Sequence, residues 1–175
     1  RTLSRVLKNA VEKSFNALSV DGDMSTNDTV LIMANGQAGN SLIREHTAAC
    51  KRFSAALSDI TSQLSRMIVK DGEGATKIVE VEVRNAKSRR DAEKAAFAIA
   101  NSLLVKTALY GNDPNWGRIM AALGYSGITM KEELTDISLG KVNLVARGIG
   151  TSKDREASKV LRGNEIKITV NLRVG

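Results

Sequence analysis

The chain has 175 residues, of which 42% are hydrophobic and 26% charged, a composition typical of a globular domain with a real core. Apolar runs such as Val30–Ala34 are too short to cross a bilayer, and no signal-peptide pattern is visible at the start of the sequence. The single cysteine, Cys50, cannot form an internal disulfide, so we expect a reducing compartment and a small core residue. His46 is the one histidine and Cys50 the one cysteine of the sequence, so we expect no metal site.

Lysine and arginine exceed the acids by 26 − 19 = 7, which raises the hypothesis of a basic module that binds nucleic acid. The basic residues are scattered, however, and the six aromatic residues form no stacking series. We therefore expect no nucleic-acid partner and a basic face that is solvated or shaped for anionic metabolites. A steep salt dependence of binding would favour the alternative of a polyanion-binding module.

The first segment is predicted to be an amphipathic helix, because its apolar residues recur at helical spacing: Leu3, Val6, Leu7, Ala10, Val11, Phe15 and Leu18. Asp21–Thr29 then places three carboxylates, one amide and three hydroxyls within nine residues, which is the chemistry of a turn and also of a site. The apolar run Thr29–Ala34 predicts a strand buried on both faces. A long helix is predicted over Glu45–Val69.

Asp71–Thr76 follows this helix as a loop in which two glycines flank Glu73 and present its carboxylate at the mouth of the next strand. Alternating Glu and Val residues predict a half-exposed strand over Ile78–Val83. Ser88 is the predicted N-cap of an alanine-rich helix that runs to about Asn101.

The composition changes near Leu103, and Val105–Tyr110 is predicted to be a short strand. Asn112 or Asp113 is the predicted cap of the next helix, with Pro114 in its first turn. The remaining pattern predicts a strand, a helix and a strand over Lys141–Ala146, Ser152–Leu161 and Glu165–Leu172. The sequence thus predicts an α/β or α+β fold, with a main portion over residues 1–103 and a smaller α/β subdomain over residues 104–175.

Four stretches together resemble the β chain of the bifunctional ornithine acetyltransferase family of arginine biosynthesis, also called glutamate N-acetyltransferases. They are Ser14–Thr29, Asp71–Thr76, Ala100–Ala108 and Gly111–Ile119, the last with the unusual run Asp-Pro-Asn-Trp-Gly-Arg. Their order and spacing match the family over essentially the whole chain. The resemblance implies a layered sandwich of helices and mixed sheet.

The resemblance also implies a mechanism. In this family a precursor cuts itself before a threonine, and the new N-terminal threonine of the β chain accepts the acetyl group and passes it on. This implies ping-pong transfer from N-acetylornithine to glutamate, an oxyanion hole supplied by the α chain, and an αβ hetero-oligomer. It implies no metal or nucleotide cofactor, acetyl-coenzyme A as a further donor if the enzyme is bifunctional, and a bacterial cytoplasm or a eukaryotic organelle matrix.

The sequence departs from the family pattern at both ends. It starts at the first helix, so the nucleophilic threonine is expected upstream of Arg1, and Thr2 is interpreted as a helix-start residue without a free amine. The family's C-terminal segment is expected after Gly175. We therefore expect no catalytic residue within this chain and no activity from the chain alone.

Glu73 matches the family's substrate-binding glutamate, and a carboxylate suits the ammonium of ornithine or acetylornithine. A solvated turn glutamate is the alternative for this position. Asn27 and Asp28 are further candidates, although the polar stretch is interpreted as mainly architectural. Lys106 and Asn115 complete the candidates. An N-terminal nucleophile amidohydrolase or peptidase, with water as the acceptor, is the alternative enzyme.

Overall fold

The computed structural model describes residues 2–175, which form six α-helices and five β-strands. The chain divides into two compact units between Glu73 and Gly74. The first unit contains α1 (Thr2–Glu12) and α2 (Ala48–Lys70), and the second contains the other helices and the whole sheet. The subdomain boundary predicted near residue 104 falls inside the second unit.

The first unit is built on the packing of α1 against α2. Val6 and Ala10 of α1 are buried, and Cys50 of α2 is only 4% exposed, which confirms the prediction of a small core cysteine. The predicted first helix is shorter than its apolar pattern, since α1 ends at Glu12 and a 3-10 turn follows over Phe15–Ala17. The long helix predicted over Glu45–Val69 is confirmed as α2.

The predicted strand over Thr29–Ala34 is wrong, because this segment has no regular secondary structure and belongs to no sheet. Leu31 is 77% exposed and Met33 is 90% exposed. A strand requires a neighbouring strand to bond its backbone amides and carbonyls. The five strands of residues 2–175 all lie in the second unit, and none of them pairs with this segment.

The second unit contains one mixed sheet with the strand order β1-β5-β2-β3-β4. Strands β1 and β5 are parallel, and the other neighbours are antiparallel. The strands span Ile78–Arg84 (β1), Asp136–Leu139 (β2), Val142–Ala146 (β3), Ile149–Gly150 (β4) and Glu165–Asn171 (β5). The predicted combination of helices with a mixed sheet is therefore confirmed.

Four helices accompany this sheet: Arg89–Asn101 (α3), Leu103–Tyr110 (α4), Trp116–Tyr125 (α5) and Asp154–Leu161 (α6). Helix α3 packs on β1, and α6 packs on β2 and β3. Alternate residues of β5, namely Ile166, Ile168 and Val170, point into the resulting apolar core. The predicted Ser88 cap of α3 is confirmed, because its side chain accepts a hydrogen bond from the Asp91 amide.

The predicted strand over Val105–Tyr110 is wrong, because these residues lie in α4. The Ser102 side chain accepts a hydrogen bond from the Val105 amide and so caps the helix. The buried residues Val105, Ala108 and Leu109 have the spacing i, i+3, i+4 of a helix face. A short, largely apolar run fits a buried helix and a buried strand equally well, and here the cap decides between them.

The predicted cap of α5 is also wrong. Asn115, rather than Asn112 or Asp113, caps this helix through its side-chain oxygen, which accepts from the Arg118 amide at 3.3 Å. Pro114 consequently lies before the cap instead of in the first turn.

Candidate functional site

The polar stretch Asp21–Thr29 bonds mainly to itself. The Asp23 amide donates to Asp21 Oδ1 at 2.8 Å, and the Asp28 amide donates to Ser25 Oγ at 3.0 Å. These are turns closed by side chains, in which short polar groups satisfy nearby amides. Asn27 and Asp28 are both exposed on this loop. The bonds fit the interpretation of these residues as turn-ordering, and a role of Asn27 or Asp28 in binding stays a prediction.

The loop Asp71–Thr76 leaves the end of α2, where the Asp71 amide donates to the Met67 and Ile68 carbonyls. Gly74 has φ +66°, a left-handed conformation that costs other residues about 1–2 kcal/mol. Glu73 is exposed, and its carboxylate accepts no hydrogen bond from residues 2–175. This carboxylate is therefore available to an external donor.

Lys77, the residue that follows this loop, donates three hydrogen bonds from its ammonium group. Its Nζ donates to the Leu109 carbonyl at 2.6 Å, to the Leu161 carbonyl at 2.5 Å and to Asn112 Oδ1 at 2.5 Å. The two carbonyls lie at the C-terminal ends of α4 and α6, where a cation is favoured. Burial lowers the pKa of the Lys77 ammonium from its usual value. Sequence reasoning did not single out Lys77.

The turn Gly111–Asn115 joins α4 to α5, and its second residue has a left-handed backbone conformation. Asn112 has φ +55°, and the following Asp113 amide donates to the Ala108 carbonyl at 2.9 Å. Asn115 uses both ends of its amide, since Oδ1 caps α5 and Nδ2 donates to Asp113 Oδ2 at 3.2 Å. The polar groups of this turn therefore hold the turn itself.

Arg118 extends this arrangement to α4. Its Nη1 donates to the Leu104 carbonyl and to Thr107 Oγ1, both at 2.9 Å. Lys106, half-buried on α4, lies between these two acceptors in the sequence. The structure thus brings the α4 segment that carries Lys106 together with the Asn115 cap, both within the second unit. Asn27, Asp28 and Glu73 belong to the first unit.

Trp116, the first residue of α5, has a packing role. It is half-buried against the apolar core, and its indole lies so close to Gly150 that a Cβ there would be 3.1 Å from Cζ2. Gly150 is therefore the residue that admits the ring.

Residues 2–175 hold no group of three or more His, Cys, Asp or Glu side chains placed to bind a metal ion. Within the same residues, no helix combines the length and the apolar character needed to cross a bilayer.

This fold is similar to that of a protein of known structure, the arginine biosynthesis bifunctional protein argJ from Bacillus halodurans. The two align with a TM-score of 0.94 and 40% sequence identity over 99% of this chain and 82% of that chain. The family model described as the ArgJ family matches residues 1–175. The chain belongs to the ArgJ family, which confirms the resemblance found in the sequence.

Curated relatives agree with this assignment. The chain is 49% identical over 175 residues to the arginine biosynthesis bifunctional protein ArgJ of Geobacter sulfurreducens, covering 99% of this chain and 44% of the relative. It is 48% identical over 183 residues to the glutamate N-acetyltransferase of Methanocaldococcus jannaschii, with the same coverage of 99% and 44%. The chain thus spans less than half the length of these relatives.

Proposed function

We propose that this chain is part of an enzyme that transfers an acetyl group from N-acetylornithine to glutamate. The observation that carries the proposal is the match of the whole chain to the ArgJ family, with relatives named for arginine biosynthesis and for glutamate N-acetyltransferase. Acetyl-coenzyme A is a further donor in the bifunctional form of such an enzyme. The reaction belongs in a bacterial cytoplasm or in an organelle matrix.

The proposed chemistry uses two displacements on a threonine that lies outside residues 1–175. The threonine Oγ attacks the acetyl carbonyl, the amide C–N bond breaks, and ornithine leaves with a proton. The amine of glutamate then attacks the resulting ester, the C–O bond breaks, and the threonine hydroxyl is restored. An oxyanion hole from the α chain stabilises each tetrahedral intermediate.

In this proposal Glu73 binds the ammonium group of the amino-acid substrate. Its exposed carboxylate accepts no hydrogen bond from residues 2–175, so it is free to form a charge-assisted bond. Asn27, Asp28, Lys106 and Asn115 remain secondary candidates.

The proposed partner is the α chain of the same precursor, in an αβ hetero-oligomer. Exposed apolar side chains support this part of the proposal. Ile60 (53% exposed), Leu64 (46%) and Met67 (63%) lie at positions i, i+4 and i+7 of α2 and so form one stripe. Contiguous exposed apolar surface is typical of an interaction site.

The test uses the full-length precursor. Intact-mass analysis and N-terminal sequencing are expected to show two fragments, the second beginning with threonine upstream of Arg1 and gaining an acetyl group on incubation with N-acetylornithine. Product analysis is expected to show N-acetylglutamate. An uncleaved precursor without transfer activity would contradict the proposal, and release of free acetate alone would indicate an amidohydrolase.

The role of Glu73 is tested separately. Glu73→Gln is expected to raise the KM for N-acetylornithine about tenfold or more, because one charge-assisted bond is lost. Glu133→Gln is the matched control, an exposed glutamate in a 3-10 turn of the second unit. Equal KM values for both variants would contradict the assignment of Glu73.

A further inference from the structure

The Lys77 ammonium is fully used by the fold. An ammonium group has three donors, and the three oxygens around Lys77 Nζ lie at 2.5–2.6 Å. Leu109 and Asn112 belong to the end of α4 and the turn that directly follows it, whereas Leu161 belongs to the end of α6. One side chain therefore joins the start of β1 to two other segments of the second unit.

The position of Lys77 in the chain gives this junction its significance. It follows the Glu73 loop directly, and the next residue, Ile78, donates its amide to the Asn164 carbonyl at 2.7 Å. The two residues that follow the loop, Lys77 and Ile78, are therefore both held by hydrogen bonds to other segments of the second unit. On the other side, Asn112 lies in the Gly111–Asn115 turn, so Lys77 directly follows one of the motifs that identify the family and donates a hydrogen bond to another.

We propose that Lys77 is a positioning residue for Glu73, one that acts by holding the exit of the Asp71–Thr76 loop against α4 and the Asn112 turn. The inference rests on the proposed function, in which Glu73 binds the substrate ammonium. Gly72 and Gly74 leave the loop backbone permissive, so its order depends on its ends. Loss of the Lys77 bonds lets the loop exit move, and the Glu73 carboxylate then spends less time where the ammonium binds.

The experiment uses the full-length enzyme and N-acetylornithine as substrate. Lys77→Met keeps most of the aliphatic stem and removes the ammonium. It is expected to raise the KM about tenfold while kcat stays within about twofold, as for a binding interaction made equally before and during the reaction. Lys167→Met is the matched control, because Lys167 Nζ bonds the carboxylates of Glu80 and Glu82 at 2.7 and 3.1 Å on the same sheet. Its KM is expected to equal that of the parent.

A double-mutant cycle separates positioning from a general structural effect. If Lys77 acts through Glu73, the Glu73→Gln/Lys77→Met enzyme has the KM of Glu73→Gln alone. A KM raised by the product of the two single effects would mean that Lys77 acts elsewhere, and it overturns the inference. A KM raised by Glu73→Gln but not by Lys77→Met overturns the inference and leaves the proposed function intact. A parent KM for Glu73→Gln overturns the assignment of Glu73 and the inference together.

Asn112→Gly covers the case in which Lys77→Met does not fold. Glycine accepts the φ of +55° at this position, so the variant removes one acceptor of the Lys77 ammonium without backbone strain. The two carbonyl bonds remain. We expect a KM raised about threefold, in keeping with the loss of one hydrogen bond. A parent KM for this variant overturns the inference.

Discussion

Gly148 gives the sharpest stability prediction in this structure. Its φ is +76°, and a Cβ at this position would lie 2.7 Å from the Glu132 carbonyl oxygen, 3.1 Å from the Glu132 carbonyl carbon and 3.3 Å from Glu133 Cα. All three atoms belong to the backbone, so no side-chain rotation relieves the clash. The Gly148 amide also donates to the Thr135 carbonyl at 2.8 Å, which holds this residue in place.

The cost of Gly148→Ala follows from these two features. The left-handed conformation costs an alanine about 1–2 kcal/mol, and overpacking against fixed atoms costs about 1–3 kcal/mol. The sum predicts a loss of roughly 3 kcal/mol in the free energy of unfolding. Gly124→Ala is the matched control: Gly124 lies within α5, has no positive φ, and a Cβ there meets nothing within 4 Å. Alanine at that position is expected to stabilise by about 0.5–1 kcal/mol, the ordinary preference of a helix interior.

Urea unfolding of the full-length enzyme, followed by circular dichroism, measures both changes. We expect the lowest urea midpoint for Gly148→Ala, a higher one for the parent and the highest for Gly124→Ala. If Gly148→Ala matches the parent, the Glu132 backbone yields easily and the steric reasoning is wrong. If the two variants are destabilised equally, the loss reflects the removal of any glycine and not this close approach.

Three further predictions concern the second unit. Gly150→Ala places a Cβ 3.1 Å from the Trp116 ring and is expected to cost about 1 kcal/mol of unfolding free energy, whereas a parent-like midpoint would show that the ring moves freely. Asn115→Ala removes the α5 cap and is expected to cost about 1 kcal/mol, and Asn115→Ser, which keeps a capping oxygen, is expected to restore most of it in the same urea titration. Burial raises the pKa of the Asp136 carboxyl, but hydrogen bonds from the Arg147 amide and the Arg173 guanidinium outweigh it and hold the pKa below its usual value. The stabilisation is therefore present above the unfolded pKa of about 3.9 and is lost as the pH falls through the lower folded value. The difference in unfolding free energy between the parent and Asp136→Asn is accordingly expected to shrink between pH 7 and pH 3, and a difference that is constant with pH would contradict this cause.

The elements that the sequence predicts correctly are those whose period and caps agree. Helix α3 has both its Ser88 cap and a helical apolar pattern, and β1 shows the alternation of a half-exposed strand. The two wrong strands share a different property, because each is a short apolar run without a clear period. Val105–Tyr110 lies in a helix that Ser102 caps, whereas Thr29–Ala34 pairs with no strand of residues 2–175. Neither run has a period that distinguishes a strand from the alternatives.

The residues of the candidate site also differ in whether the sequence alone indicates them. The sequence alone proposes Glu73 as a candidate, because its glycine-flanked motif is contiguous and resembles a known family. It does not propose Lys77, because the three acceptors of this residue lie 32, 35 and 84 residues away and two of them are backbone carbonyls. Backbone acceptors leave no residue-type signal, so a lysine bound by them looks like any solvated lysine. The one sequence clue is its place immediately after the motif.

Asn115 and Glu73 differ in what binding a substrate would cost the fold. The Asn115 side chain already caps α5 through Oδ1 and donates to Asp113 through Nδ2, so recruiting it to a ligand gives up about 1 kcal/mol of helix stability. The Glu73 carboxylate accepts no hydrogen bond from residues 2–175, so binding an ammonium would break no bond of the described fold. The Asn115 side chain is thus bonded within the fold, whereas the Glu73 carboxylate is not bonded by residues 2–175, and a substrate-binding role for either residue stays a prediction. Lys77 follows the Asp71–Thr76 loop and bonds Asn112 of the Gly111–Asn115 turn, so under the proposal for this residue its substitution is the change that best separates a role in folding from a role in binding.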